Sequence, residues 1–361
     1  GKFCQKRGVQ LLSDIRVQQS VIKKNQEFFA TKLKEFGDLP TSLDINTKMT
    51  SYPHTQWMLG QLTAKLTRIA NTPIITKESE LPWKQPAELM VSMAPDVGTS
   101  TNLNPAMDGK IFGAPVVPDF EQEFSVKDSK LPDLIPGEET SDRFLRFEIT
   151  ESNVMSCMGS FGKLRDVLGI PLLPLMTVYD FFIKRALDQY FYNLYWKSSF
   201  ILVGTPAGVT LSPEGAQHGW KSDFQIPNQI TWEPFYCIEL DWILCDSIRR
   251  HMTNNNAGRS GVLIRGVTRG VEQKDLMIFL RRQFRFKQTP AALCRTEYLL
   301  DGACDETQIA TQSDEQILSQ IQKEVLKGAY YLIDYRHYAG YEPGDNVVHI
   351  VAMGSLTTEA V

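Results

Sequence analysis

Arg143-Phe144-Leu145-Arg146-Phe147-Glu148-Ile149-Thr150-Glu151-Ser152-Asn153-Val154-Met155 is the stretch on which the reading of the fold turns. It begins as a short apolar strand and ends in a helical pattern, so Glu151 falls at a strand-to-helix junction. Open α/β sheets place their ligands at such carboxyl ends of strands. Outward from this stretch the same alternation repeats. Strands are expected at residues 88–93, 144–147, 170–176, 200–204, 229–232 and 262–265, with helices at 153–168, 178–196 and 235–251. Short apolar strands alternating with helices of this length predict an α/β fold: a doubly wound, mostly parallel sheet flanked by helices.

The flanks differ in texture. Residues 1–72 read as a polar, helical N-terminal connector or outer layer, with helices at 18–36 and 55–69 and a turn at Gly37-Asp38-Leu39-Pro40. Residues 73–340 form the sheet domain, including a Pro-, Asp- and Gly-rich excursion at 96–140 and a helix at 314–327. Residues 341–361 read as the start of a further, truncated domain: a turn at 341–345, a strand at 347–353, then a loop entering a helix.

Composition bounds the function classes. The chain has 361 residues, of which 42% are hydrophobic and 22% charged, enough apolar material for a large core. A formal net charge of -4 without a long basic run argues against a nucleic-acid partner. No apolar run approaches the about 18 residues that a membrane helix needs, and no signal-peptide core is visible, so a cytoplasmic protein without membrane contact is expected. The six cysteines include no C-x-x-C pair, which favours free thiols over a zinc or disulfide framework.

The stretch 143–155, followed by Pro171 to Arg185 and by Val203-Gly204-Thr205-Pro206-Ala207-Gly208-Val209-Thr210, resembles the pyrimidine-binding (middle) domain of the transketolase superfamily. The spacing Glu214-Gly215-Ala216-Gln217-His218, after Leu211-Ser212-Pro213, and Asn228-Gln229-Ile230-Thr231-Trp232-Glu233-Pro234-Phe235 resemble more closely the homodimeric branch of pyruvate dehydrogenase, its decarboxylating first component. The resemblance covers roughly residues 88–270.

That resemblance implies a thiamine diphosphate enzyme in which Glu151 is catalytic and binds the cofactor's aminopyrimidine, sharing a proton with a ring nitrogen. Phe181 is the implied stacking partner of the ring, with Tyr179 and Phe182 as neighbours; the plainer alternative is that Tyr179, Phe182 and Arg185 lie along a packed helix. His218, in a Gly-containing loop, is the implied catalytic contact to the substrate carbonyl. Asp96 resembles the family's acidic cofactor-side residue after the first strand, or equally caps a turn. His54, His251, His337 and His349 have no such context and read as structural or exposed, and Glu239 reads as a surface carboxylate.

The family binds Mg²⁺ and the diphosphate with a Gly-Asp-Gly stretch, which this sequence lacks. No metal ligand is therefore expected here; Mg²⁺ belongs to a missing diphosphate-binding domain, upstream in the same polypeptide or on another chain. The implied function is a fragment of a 2-oxo acid dehydrogenase, pyruvate being the expected substrate, which decarboxylates it and reductively acylates a lipoyl group. Its expected partners are that domain, a second copy in a homodimer and a lipoyl-bearing acyltransferase component, and the fragment alone is expected to be inactive. The alternatives are transketolase-type ketol transfer and a non-catalytic assembly or regulatory module that keeps the fold.

Overall fold

Six strands, β1 (Met90–Ala94), β2 (Phe144–Arg146), β3 (Leu173–Val178), β4 (Phe200–Gly204), β5 (Gln229–Trp232) and β6 (Gly261–Arg265), form one sheet in the order β2-β1-β3-β4-β6-β5. All five pairings are parallel. This is a computed structural model; it describes residues 2–49, 53–95, 101, 103, 144–147, 149–207, 226–253, 261–287, 312–336 and 347–361, without the side chains of 2–16, 49, 146 and 359.

A parallel sheet must be covered on both faces, and the strand alternation shows how. Leu173 and Leu175, Ile201 and Val203, and Val262 and Ile264 point to one face, into a core shared with the helices Thr55–Asn71 and Cys237–Thr253. Val91 and Met93, Met176 and Val178, Phe200 and Leu202, and Leu263 point to the other. There the helix Glu151–Gly162 contributes Val154, Met155 and Met158, and the helix Leu187–Tyr195 contributes Tyr190 and Leu194.

The outer-layer expectation for the N-terminal segment needs correction at Thr55–Asn71. Met58, Leu59, Leu62, Leu66 and Ile69 are at most 1% exposed, so this helix is a core element of the sheet domain. Each such side chain contributes about 1.5–3 kcal/mol of burial. Its start is fastened to the carboxyl edge of the sheet: the Gln56 N–H donates to the Val267 carbonyl at 3.0 Å, and the Thr205 hydroxyl donates to Gln56 Oε1 at 2.6 Å. His54 caps it by accepting from the Trp57 N–H at 3.1 Å. Burial lowers the His54 pKa, in keeping with a neutral accepting ring.

Other expectations shift at their boundaries for local reasons. The helix expected at 153–168 is two, Glu151–Gly162 and Leu164–Leu168. They part where Gly162 meets the Ser199 backbone, whose carbonyl oxygen lies 2.3 Å from where a Cβ would stand. The helix expected at 178–196 is the end of β3, a 3-10 turn Asp180–Ala186, and then Leu187–Tyr195. Residues 347–353, expected as a strand, pair with none of the described strands, and Val348 and Val351 are 84% and 88% exposed. Gly354–Leu356 does dock, its first amide donating to the Glu233 carbonyl at 3.1 Å. The excursion at 96–140 lies outside the described residues, apart from Thr101 and Leu103.

Candidate active site at the carboxyl edge

β1 is followed by β2 on one side and flanked by β3 on the other, so the chain leaves β1 and β3 towards opposite sides of the sheet. A crevice opens outside the carboxyl ends at such a reversal. Thr177, fully buried near the end of β3, shares a 2.8 Å hydroxyl hydrogen bond with Thr101, seven residues beyond the end of β1.

Glu151 comes from the β2 side. The Phe147 N–H extends the sheet by donating to the Ala94 carbonyl at 3.1 Å, the Thr150 hydroxyl turns back onto the Phe147 carbonyl, and the helix opens at Glu151. A carboxylate in a helix first turn is favoured by the macrodipole. Its surroundings are more particular than that. Glu151 is 6% exposed, and its Oε1 accepts from the Arg185 guanidinium at 3.0 Å. A second tether runs beside it: the Ser152 hydroxyl donates to the Arg185 carbonyl at 3.0 Å.

Arg185 leads to the aromatic turn after β3. Its guanidinium lies 3.9 Å from the centre of the Phe182 ring, and that ring packs at 5.8 Å from Tyr179 and 6.0 Å from Phe181. Lys184 covers Phe181 at 4.9 Å. Tyr179, Phe181 and Glu151 are thus brought into one cluster, joined through Phe182 and Arg185. Phe182 and Arg185 lie on the 3-10 helix Asp180–Ala186, along which Tyr179, Phe182 and Arg185 stack at three-residue spacing.

Behind the turn lies a buried ionic group. Asp180 is fully buried and Arg265, the last residue of β6, is 4% exposed. Arg265 donates from Nε to Asp180 Oδ1 at 3.1 Å and from a terminal nitrogen to Glu233 Oε1 at 3.1 Å. Glycine at 204, the end of β4, makes the crossing possible, because a Cβ there would stand 2.5 Å from Asp180 Oδ1. Sequence reasoning missed Asp180 and Arg265. The signals were an acid inside an aromatic run and a base closing an apolar strand.

Asp96 and His218 lie outside the described residues. Glu239, read from sequence as a surface carboxylate, is 5% exposed. Its carboxylate accepts the Phe235 and Tyr236 N–H groups at 2.7 and 3.2 Å and the Tyr330 hydroxyl, capping its own helix. Burial raises its pKa, and the three donors act against that rise. It faces the helix start, not the cluster, because an acid three residues into a helix can reach back to the free amides. Among the other histidines, His251 is buried and His349 is exposed.

A carboxylate with one oxygen held by an arginine that in turn packs on an aromatic ring suits the aminopyrimidine end of thiamine diphosphate: Glu151 offers Oε2 as an acceptor and the aromatic turn offers ring faces. Among the described residues nothing comparable suits the other end of that cofactor. Among the described residues no group of three His, Cys, Asp or Glu side chains could hold a metal ion. Among the same residues no helix is long and apolar enough to cross a membrane, and Cys157, Cys237 and Cys245 are free thiols.

No protein-family model matches the chain, and no curated protein matches it either. Solved structures similar to it include transketolases. The enzyme from Pichia stipitis in complex with sedoheptulose 7-phosphate is 13% identical, with a TM-score of 0.43 over 75% of this chain and 34% of that one. Transketolase from Campylobacter jejuni is 13% identical, with a TM-score of 0.40 over 68% and 30%. A split-gene transketolase, described as an inactive β4 tetramer, is 16% identical, with a TM-score of 0.33 over 61% and 52%. The chain spans about a third of the length of the Pichia enzyme. At these TM-scores the likeness carries no weight, and the fold class rests on the strand order itself.

Proposed function

We propose that this chain supplies the pyrimidine-binding half of the active site of a thiamine diphosphate-dependent enzyme acting on a 2-oxo acid, pyruvate being the substrate. The observation that carries the reading is Glu151: a nearly buried carboxylate at the carboxyl edge of a parallel sheet, one oxygen tied to Arg185 and the aromatic turn beside it. When bound, thiamine diphosphate supplies a carbon nucleophile and an electron sink for decarboxylation. Glu151 Oε2 holds a proton against the ring nitrogen and takes it back, which requires a carboxyl group rather than an amide. Arg185 fixes the carboxylate's orientation, and the ring faces of the turn align the pyrimidine, a stack being worth about 0.5–1.5 kcal/mol beyond burial.

The remaining parts of the proposal follow from the resemblance. A partner domain supplies the diphosphate and Mg²⁺ site, His218 contacts the substrate carbonyl, Asp96 lies on the cofactor side, the active unit is a homodimer, and a lipoyl-bearing protein accepts the acyl group. The test is turnover of pyruvate by the complete enzyme, reconstituted with its diphosphate-binding half. Glu151→Gln is expected to lower kcat by about 10²–10⁴-fold, the usual worth of a positioned proton-transfer group. Unchanged turnover by the variant overturns the assignment. Transfer of a two-carbon ketol unit between sugar phosphates, without CO₂ release, would replace the 2-oxo acid reaction by the transketolase one.

A further inference from the structure

We infer that Arg265 is a positioning residue for the site: through Asp180, and braced by Glu233, it holds the aromatic turn 179–182 at the height of Glu151. The inference deepens the pyrimidine-site reading and rests on it for its functional consequence. Asp180 sits between Tyr179 and Phe181, so whatever holds its carboxylate sets where those two rings stand. Ile183 and Ala186, both fully buried, and Arg185, bonded to Glu151 and Ser152, anchor the turn only in its later half. It follows β3 directly, its 3-10 helix has no side-chain cap at Tyr179, and Tyr179, Phe181 and Phe182 are only partly buried.

Arg265 is suited to the task because its own position is rigid. It ends a central strand that pairs with β4 and β5, and the backbone beyond it continues the ladder, the Gly266 N–H donating to the Gly204 carbonyl at 2.9 Å. Its planar fork reaches two carboxylates in different directions, which a lysine ammonium does less well. Gly204 keeps the path to Asp180 open. The Glu233 arm is anchored in turn, since its backbone carbonyl takes the Gly354 N–H. Three segments at the carboxyl edge, the turn after β3, the end of β6 and the loop after β5, are thereby held by one guanidinium.

Removing the Arg265 charge alone would strand the fully buried Asp180 carboxylate and risk the fold, whereas Glu233, its side chain 14% exposed, keeps access to water. The informative variant is therefore the double Asp180→Asn/Arg265→Gln, in which two amides of similar shape replace the ion pair, with Arg265→Lys as the conservative control. Hydrogen exchange of the full chain, followed by mass spectrometry, is expected to show peptides spanning 178–187 exchanging at least tenfold faster in the double variant. Peptides of β4 and β6 should keep their wild-type rates, and Arg265→Lys should recover part of the turn's protection. An unchanged turn, or an equal loss in β4 and β6, overturns the inference. A second arm measures thiamine diphosphate binding, with Mg²⁺, to the complete enzyme by fluorescence quenching. The double variant should raise the Kd about tenfold and leave kcat at saturating cofactor within about threefold, and an unchanged Kd overturns the inference. If the wild type binds no thiamine diphosphate, the pyrimidine-site reading fails, while the exchange arm still decides whether Arg265 positions the turn.

Discussion

Gly159→Ala would ordinarily stabilise a helix interior by about 1 kcal/mol, yet here it is expected to do the opposite. Gly159 lies in Glu151–Gly162, the helix that carries Glu151, where it faces Leu187–Tyr195. A Cβ at 159 would stand 1.8 Å from Asn193 Oδ1 and 2.2 Å from its Cγ. The amide cannot move aside freely, because Asn193 is 6% exposed and donates from Nδ2 to the Met155 carbonyl at 2.8 Å. Overpacking costs about 1–3 kcal/mol. Breaking a buried hydrogen bond costs about 1–3 kcal/mol more. Set against the propensity gain, the net destabilisation is about 1–5 kcal/mol and centres near 3. Denaturant unfolding of the wild type, both single variants and Gly159→Ala/Asn193→Ala measures it as a double-mutant cycle. Asn193→Ala alone should cost about 1 kcal/mol, the usual net worth of one hydrogen bond. The double variant should be more stable than Gly159→Ala by at least about 1 kcal/mol, since neighbours in contact couple by about 0.5–3 kcal/mol. A Gly159→Ala protein as stable as the wild type, or strictly additive costs, would refute the close helix contact.

Acid pH should weaken the fold through His251. Burial, and secondarily the nearby Arg165 charge, lower its pKa to about 4, while the ring stays bonded to the Ser199 hydroxyl at 2.8 Å. The unfolded chain protonates this ring near pH 6.5 and the folded one only near 4, so the unfolded state binds more protons between those values and stability falls as pH drops through that window. The loss reaches roughly 3 kcal/mol at the acid end. Unfolding free energies from pH 7.5 to 4.5 should be flatter for His251→Gln than for the wild type, and parallel curves would sink the assignment. Leu62→Ala, at a fully buried position of the helix Thr55–Asn71, should cost about 2–5 kcal/mol by denaturant titration. A cost under about 1 kcal/mol would return that helix to the outer layer.

Much of the framework was legible because it is written in local periodicity. The limits of β4 and β5 agree with the apolar runs read at 200–204 and 229–232, and the helix that opens at Glu151 was anticipated within two residues. Strand termini went astray where a different local structure intruded. The residues before β1 are held in a short helix, Lys84–Leu89, rather than continuing the strand backwards. At 347–353 an alternating apolar pattern satisfied the strand rule, yet none of the described strands pairs with it, and a strand is defined by its neighbour.

The candidate site divides along the same line. Glu151, Tyr179 and Phe181 were singled out through a family resemblance read from the order of residues near strand ends, which is a one-dimensional property. The partnership of Glu151 with Arg185, 34 residues away, and of Asp180 with Arg265, 85 residues away, was not. Nor was the burial of Glu239, whose charge suggests solvent until Tyr330 is seen closing over it. By itself the sequence determined the alternation of strands and helices and the placing of a carboxylate at a strand end, because these follow from patterns within a few residues. Tertiary structure alone decided which strand ends adjoin, and hence which charges meet across them, because β4 had to end in a glycine between β3 and β6 before an aspartate and an arginine so distant in sequence could touch.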